Sequence, residues 1–289
     1  APLAFGFASA SPAAEAQPLS ISRLGLLARN SLSMSILAAL AAGLVAVPIA
    51  LGSARIEKGR AAAALLALAC VPLFIPPTVM SVAAVRLFGP AGFLTDLISQ
   101  AEATFPVTER IGEPASRLIG APIYTLPGGA FVLAWSYFPL AVLGLWAALR
   151  RVNPEAEEAA RLHLGPCSTL LRISLPLAAG GLAASAAAIF LFAMTDLSVP
   201  ESLRSLPVLV SEVYVQFGIY YDTQKALAAS LLLAGLAGVF FALLFAGFRN
   251  ADWLEPGESE GKAVSVPKSA GVTLLRVAGW ILAILPVVA

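Results

Sequence analysis

Residues 128–149 read GGAFVLAWSYFPLAVLGLWAAL, a stretch without a single charge that ends on Arg150-Arg151. A helix needs about 20 mostly apolar residues to cross the hydrocarbon core of a bilayer, so this stretch reads as a membrane span. The same kind of run recurs on both sides of it. Residues 31–52 and 61–87 precede it, the second interrupted by Pro72, Pro76 and Pro77. Residues 175–194 and 226–248 follow, and a further apolar run opens near Val272. Composition agrees: 59% of the 289 residues are hydrophobic and 12% are charged, against about a quarter charged in an average soluble domain. These numbers exclude a water-soluble globule and predict an all-α, polytopic helical membrane protein with five complete spans.

Net charge is +1, so nothing points to a nucleic-acid partner, and the positions of the charges matter more than their sum. Segments 53–60, 149–172 and 249–276 hold Arg55, Lys58, Arg60, Arg150, Arg151, Arg161, Arg172, Arg249, Lys262, Lys268 and Arg276. In the alternating segments the basic residues are fewer, and Asp96, Glu102, Glu109, Glu113, Glu201, Glu212 and Asp222 roughly offset them. Lys and Arg in short loops mark the cytoplasmic side, and five spans alternate consistently with the first set inside. Segments 88–127 and 195–225 are then outer. Tyr214, Phe217, Tyr220 and Tyr221 in the second suit an interfacial aromatic belt.

Prolines inside a span free backbone groups that a neighbour or water must satisfy. Pro76-Pro77 marks either a kink against a polar pathway or a packed bend, and the bend is the preferred reading. Cys70 and Cys167 stand in no CxxC and no His/Cys cluster, so neither a disulfide framework nor a metal site is expected.

The inner segment 149–176 reads LRRVNPEAEEAARLHLGPCSTLLRISLP. Asn153 is a capping residue and Pro154 suits the first helical position. Glu155, Glu157 and Glu158 favour the positive end of the helix dipole, and Gly165-Pro166 stops the helix about three turns on. A short helix thus lies between two spans, with the small side chains of Ala159 and Ala160 open to another protein. Without a basic or metal partner, the three glutamates read as a helix start rather than as paired catalytic carboxylates.

This segment resembles the EAA loop of the permease subunits of binding-protein-dependent ABC importers, the type I importer transmembrane domains. That loop runs Glu-Ala-Ala, three residues, Gly, nine residues, then Ile-x-Leu-Pro. Here Glu158-Ala159-Ala160 and Ile173-Ser174-Leu175-Pro176 are in place, with Gly165 one residue late and seven residues before Ile173. Asn30-Ser31-Leu32 is similar to the start of these permease domains, and two further tracts are similar to their iron(III)/thiamine-type branch: Ile75-Pro76-Pro77 with Leu87-Phe88-Gly89, and Met194-Thr195-Asp196-Leu197-Ser198-Val199-Pro200. The resemblance covers roughly residues 30–250. It implies a multi-pass protein of the bacterial inner membrane in which Glu158, Ala159, Ala160 and Gly165 contact a cytoplasmic ABC ATPase dimer. It also implies an extracytoplasmic substrate-binding protein, a second permease unit (a homodimer partner or a fused repeat), surrounding lipid and no cofactor. The substrate implied is a small polar solute or ion, iron(III) first, with thiamine, polyamine or phosphonate behind it.

On that plan residues 1–30 are the end of a truncated helix and an outer segment. Residues 31–250 are the permease domain with its coupling loop at 150–174, and residues 251–289 are a cytoplasmic linker and the start of a further helix. An excised repeat of a tandem permease would account for both ends.

Asp196 is the acidic residue nearest an otherwise apolar helix. Such groups are candidates for function, and with Pro76 and Pro77 it is the possible pathway residue; its plain alternative is an interfacial cap. His163, in the docking loop, reads as a solvated side chain, and Gly180-Gly181 as a close helix contact. No GxxxxGK[ST], GxSxG or HExxH motif occurs, so ATP hydrolysis belongs to a separate subunit and no catalytic residue is expected. An ion-gradient-driven secondary transporter is the alternative. It calls for several mid-membrane charges and broken spans, of which the sequence displays almost none.

Overall fold

The structure, a computed structural model, describes residues 20–54, 60–104, 121–152, 154–204 and 206–248. The truncated helix expected in residues 1–19, most of the charged turn at 53–60, the Asn153 cap and the linker and further helix of 251–289 lie outside these residues. Among the described residues every regular element is helical. The long elements are α1 (Ile21–Ala54), α5 (Leu126–Leu149), α8 (Ala179–Thr195) and α11 (Thr223–Phe248). Between the first two lie α2 (Arg60–Cys70), α3 (Pro77–Phe88) and α4 (Phe93–Thr104). The later short elements are α6 (Pro154–His163), α7 (166–177), α9 (Ser198–Ser202) and α10 (Leu209–Ile219).

Four helical stretches, Ile21–Ala54, Pro77–Gln100, Leu126–Leu149 and Thr223–Leu244, are long and apolar enough to cross a membrane. Leu170–Leu177 with Ala179–Thr195, bent by 59°, makes a fifth. The chain is an all-α polytopic membrane protein. Its centre is the trio α1, α5 and α8, which pack on one another more extensively than any other elements.

Three apolar layers run along that trio. Ala50, Leu145 and Ala178 form the layer at the end carrying residues 150–176, the loop end. Ile49, Leu65, Phe138, Ala141 and Phe190 form the middle layer. Met34, Met80, Val132, Val199 and Leu203 form the layer toward the opposite end. The starts and stops of the helices follow from their flanks. The Ser20 hydroxyl accepts the Arg23 amide at 3.2 Å, so α1 begins some ten residues before its apolar run. Thr125 caps α5, accepting from the Gly128 amide at 3.5 Å. At its other end Arg150 lies over the Trp146 ring, 5.0 Å from the centroid.

The expected second span is not one helix. The chain passes from α2 through a tight 3-10 turn, Val71–Phe74, then becomes extended at Ile75 (φ −93°, ψ 123°) and Pro76 (φ −55°, ψ 139°) before α3 begins. A residue before proline is pushed out of the α region, and Ile75 and Pro76 both precede one. Two consecutive residues are therefore denied helical backbone, and the expected packed bend is a complete break.

The fourth span also departs from expectation. A π-helical turn, Leu170–Ser174, leads to a bend at Ala178 (φ −89°, ψ −1°), and α8 proper starts at Ala179 rather than 175. The segments expected to be outer are partly helical as well, holding α4, α9 and α10, and the candidate span Pro77–Gln100 extends into the first of them.

Where α5 crosses α8 the backbones nearly touch. A Cβ on Gly181 would stand 2.5 Å from the Gly144 carbonyl oxygen and 2.5 Å from the Ala148 Cβ. Gly181 and the facing Gly144 together make the expected close contact possible.

Candidate functional site

Helix α6 projects from the loop end as a ten-residue amphipathic element. Glu157 is its buried side, 7% exposed, and takes hydrogen bonds from two directions. The Ser174 hydroxyl, in the π turn of α7, donates to Glu157 Oε1. Arg161, one turn along α6, donates to Oε2 at 3.4 Å. One carboxylate therefore ties the loop helix to the segment that enters the membrane. The Leu164 amide donates to the Ala160 carbonyl at 2.8 Å, which completes the last turn, and α7 begins after Gly165.

The opposite face of α6 is open. Glu158, Ala159 and His163 are exposed, Ala160 is half-buried, and Gly165 is exposed with open space where a side chain would be. Leu162 is 83% exposed. It lies four residues after Glu158 and three after Ala159, so all three share a face. Sequence reasoning passed over Leu162 and the inward role of Glu157. The signal for Leu162 was present: it is a large apolar side chain on the charged side of a short polar helix. We expect Leu162→Glu to leave the thermal unfolding midpoint of the detergent-solubilised protein within about a degree or two of the parent, because the side chain is exposed among the described residues. A large fall in the midpoint would contradict an unpartnered face.

Asp196 follows directly on the last residue of α8. Its Oδ2 accepts the Tyr137 hydroxyl at 3.0 Å, and Tyr137 stands at the middle of the 24-residue α5. Its Oδ1 accepts the Val199 amide at 2.9 Å, at the start of α9. The carboxylate therefore caps α9 and at the same time ties the end of α8 to α5. Phe192, 48% exposed, stacks on Tyr137 with ring centroids 5.5 Å apart. Beyond Asp196, α9 is tied to α3 by the Ser202 and Ser81 hydroxyls, 2.6 Å apart.

Pro76 and Pro77 sit at the break between α2 and α3, with Pro76 exposed. Two spans are thus broken, a feature the sequence reading had set against the secondary-transporter alternative. A third polar cluster ties the far end together. Glu212, buried on α10, accepts from Arg23 at 2.9 Å and from Gln216 at 2.7 Å.

No protein-family profile matches the chain. Over 218 residues, 73% of its length, it is 23% identical to a Haemophilus influenzae protein described as a ferric transport system permease protein. The match takes in 32% of that protein, so the chain spans about a third of the relative it resembles.

Proposed function

We propose that this chain is a membrane permease unit of a binding-protein-dependent ABC importer in the bacterial inner membrane. The observation that carries the reading is α6: a short helix at one end of the span bundle, pinned from behind by Glu157 and bare in front at Glu158, Ala159 and Leu162. That arrangement suits a helix that docks into a groove of a cytoplasmic ABC ATPase dimer, with Ala160 and Gly165 at the edge of the contact. The small side chain of Ala159 permits close approach, and Leu162 supplies an apolar anchor. The loop end is then cytoplasmic. A substrate-binding protein delivers solute at the opposite end, and a second permease unit completes the pathway. The ferric transport description of the similar protein supports iron(III) as the solute.

The test is co-purification and transport with the complete assembly. Glu158→Lys reverses a charge on the open face and is expected to weaken ATPase retention and uptake about tenfold or more, consistent with a centrally placed contact. If the parent protein retains no ATPase, and Glu158→Lys transports as the parent does, the importer reading fails. A secondary transporter is the second reading, favoured by the two broken spans. It predicts uptake driven by an ion gradient without any ATPase.

A further inference from the structure

Where the spans stop at the loop end, the surface is basic. Helix α5 ends at Leu149, and Arg150 and Arg151 follow it directly, both exposed. Across the loop, Arg172 is exposed within the π turn Leu170–Ser174. The two sides are neighbours, because Leu149 and Val152 from one and Leu175 from the other pack on the layer of Ala50, Leu145 and Ala178. Among the described residues no carboxylate pairs with any of the three arginines. Glu157 is engaged by Ser174 and Arg161, and Glu158 stands on the open face of α6.

Apolar side chains beside these cations are open too. Leu171 is 60% exposed and Leu177 57%. The stretch Leu170–Leu177 is bent by 59° from α8, so it turns off the span direction where the span ends. A helical stretch that combines open leucines with arginine at such a place suits the membrane interface, where leucines reach acyl chains and cations reach headgroups. Arg150 lies over the Trp146 ring, and a guanidinium held on a ring keeps its in-plane donors for a phosphate. An acidic protein would satisfy the arginines, yet it would have to enter the bilayer edge to cover Leu177, two residues before α8.

We propose that Arg150, Arg151 and Arg172, together with Leu171 and Leu177, form a seat for an anionic phospholipid at the edge of the bundle. The phosphate oxygens take the guanidinium donors, and the acyl chains cover the two leucines. The seat lies on the segment to which Glu157 ties α6, so the bound lipid braces α7 where the loop helix is anchored. The inference needs only the membrane architecture and stands apart from the importer reading.

The experiment is native mass spectrometry of the full chain released from nanodiscs of equal phosphatidylglycerol and phosphatidylcholine, with no ATPase present. A basic residue near an anionic membrane surface contributes about fivefold to binding, so the parent is expected to retain phosphatidylglycerol over phosphatidylcholine by about tenfold or more. Arg151→Gln/Arg172→Gln is expected to lose most of that preference at an unchanged unfolding midpoint, and Arg151→Lys/Arg172→Lys to keep a good part of it. Leu171→Ser/Leu177→Ser is expected to retain fewer lipids of both kinds. High salt applied to the parent before release is expected to erase the preference as well, a reading that needs no variant. A parent without preference, a preference indifferent to salt, or a glutamine variant that selects lipid as the parent does overturns the proposal. So does a glutamine variant that loses only a co-purified ATPase, which would assign the arginines to an acidic protein surface.

Discussion

Gly181→Ala is expected to lower the stability of the helix bundle by about 1–3 kcal/mol, the range for an overpacked contact. The new methyl carbon would stand 2.5 Å from the Gly144 carbonyl oxygen. A backbone oxygen cannot swing away as a side chain does, so α5 and α8 must separate. Separation is felt along the whole crossing, where Leu145 and Ala178 form the loop-end layer and Leu182 packs against it. Alanine gains about 0.5–1 kcal/mol in helix preference over glycine, less than the contact loses. Gly235→Ala on α11 supplies the control, since a Cβ there meets nothing within 4 Å. It is expected to be neutral or slightly stabilising. Unfolding midpoints of the two variants in one detergent decide the matter, and equal midpoints would remove the close crossing as an explanation.

The second large effect is functional. Glu157→Ala removes the carboxylate that ties α6 to the π turn at Leu170–Ser174. A hydrogen bond to a buried charge contributes about 1.5–3 kcal/mol, enough to free the loop helix from α7 while the layers around α5 stay intact. Under the importer reading, ATP hydrolysis then continues while solute uptake falls, and the number of molecules carried per ATP drops severalfold. Glu157→Gln keeps an oxygen for the Ser174 hydroxyl but loses the charge facing Arg161, so it should lie between. An alanine variant with the parent's transport stoichiometry would show that the force takes another route.

The all-α membrane architecture was legible because hydrophobic length is a property of single segments: residues 128–149 announce a span without reference to anything else. The loop helix was legible for the same reason, since Pro154 and Gly165-Pro166 bound it locally. The second span was misread because apolar content does not register backbone dihedrals, although Ile75-Pro76-Pro77 held the information in the restriction each proline places on its predecessor. The partner of Asp196 was not legible. It is Tyr137, fifty-nine residues earlier in the chain, and no local pattern encodes that pairing. Glu157 and Glu158 are neighbours with opposite roles, one facing Ser174 and the other open. Their assignment needed the phase of α6 against α7, which depends on how the π turn winds.

The broken and unbroken spans also differ in how they can enter a bilayer. Thr223–Leu244 has a mean hydropathy of 2.4 and only 6% of its apolar window buried within the chain. It can leave the translocation machinery for lipid on its own, with no folded partner waiting. Ala63–Phe74 and Leu209–Ile219 are shorter apolar helices, below the length a bilayer requires. They gain a stable place only once the wall of α1, α5 and α8 exists to receive them. Biogenesis of this protein therefore has an order: long segments partition first, and the half-length pieces fold in afterwards.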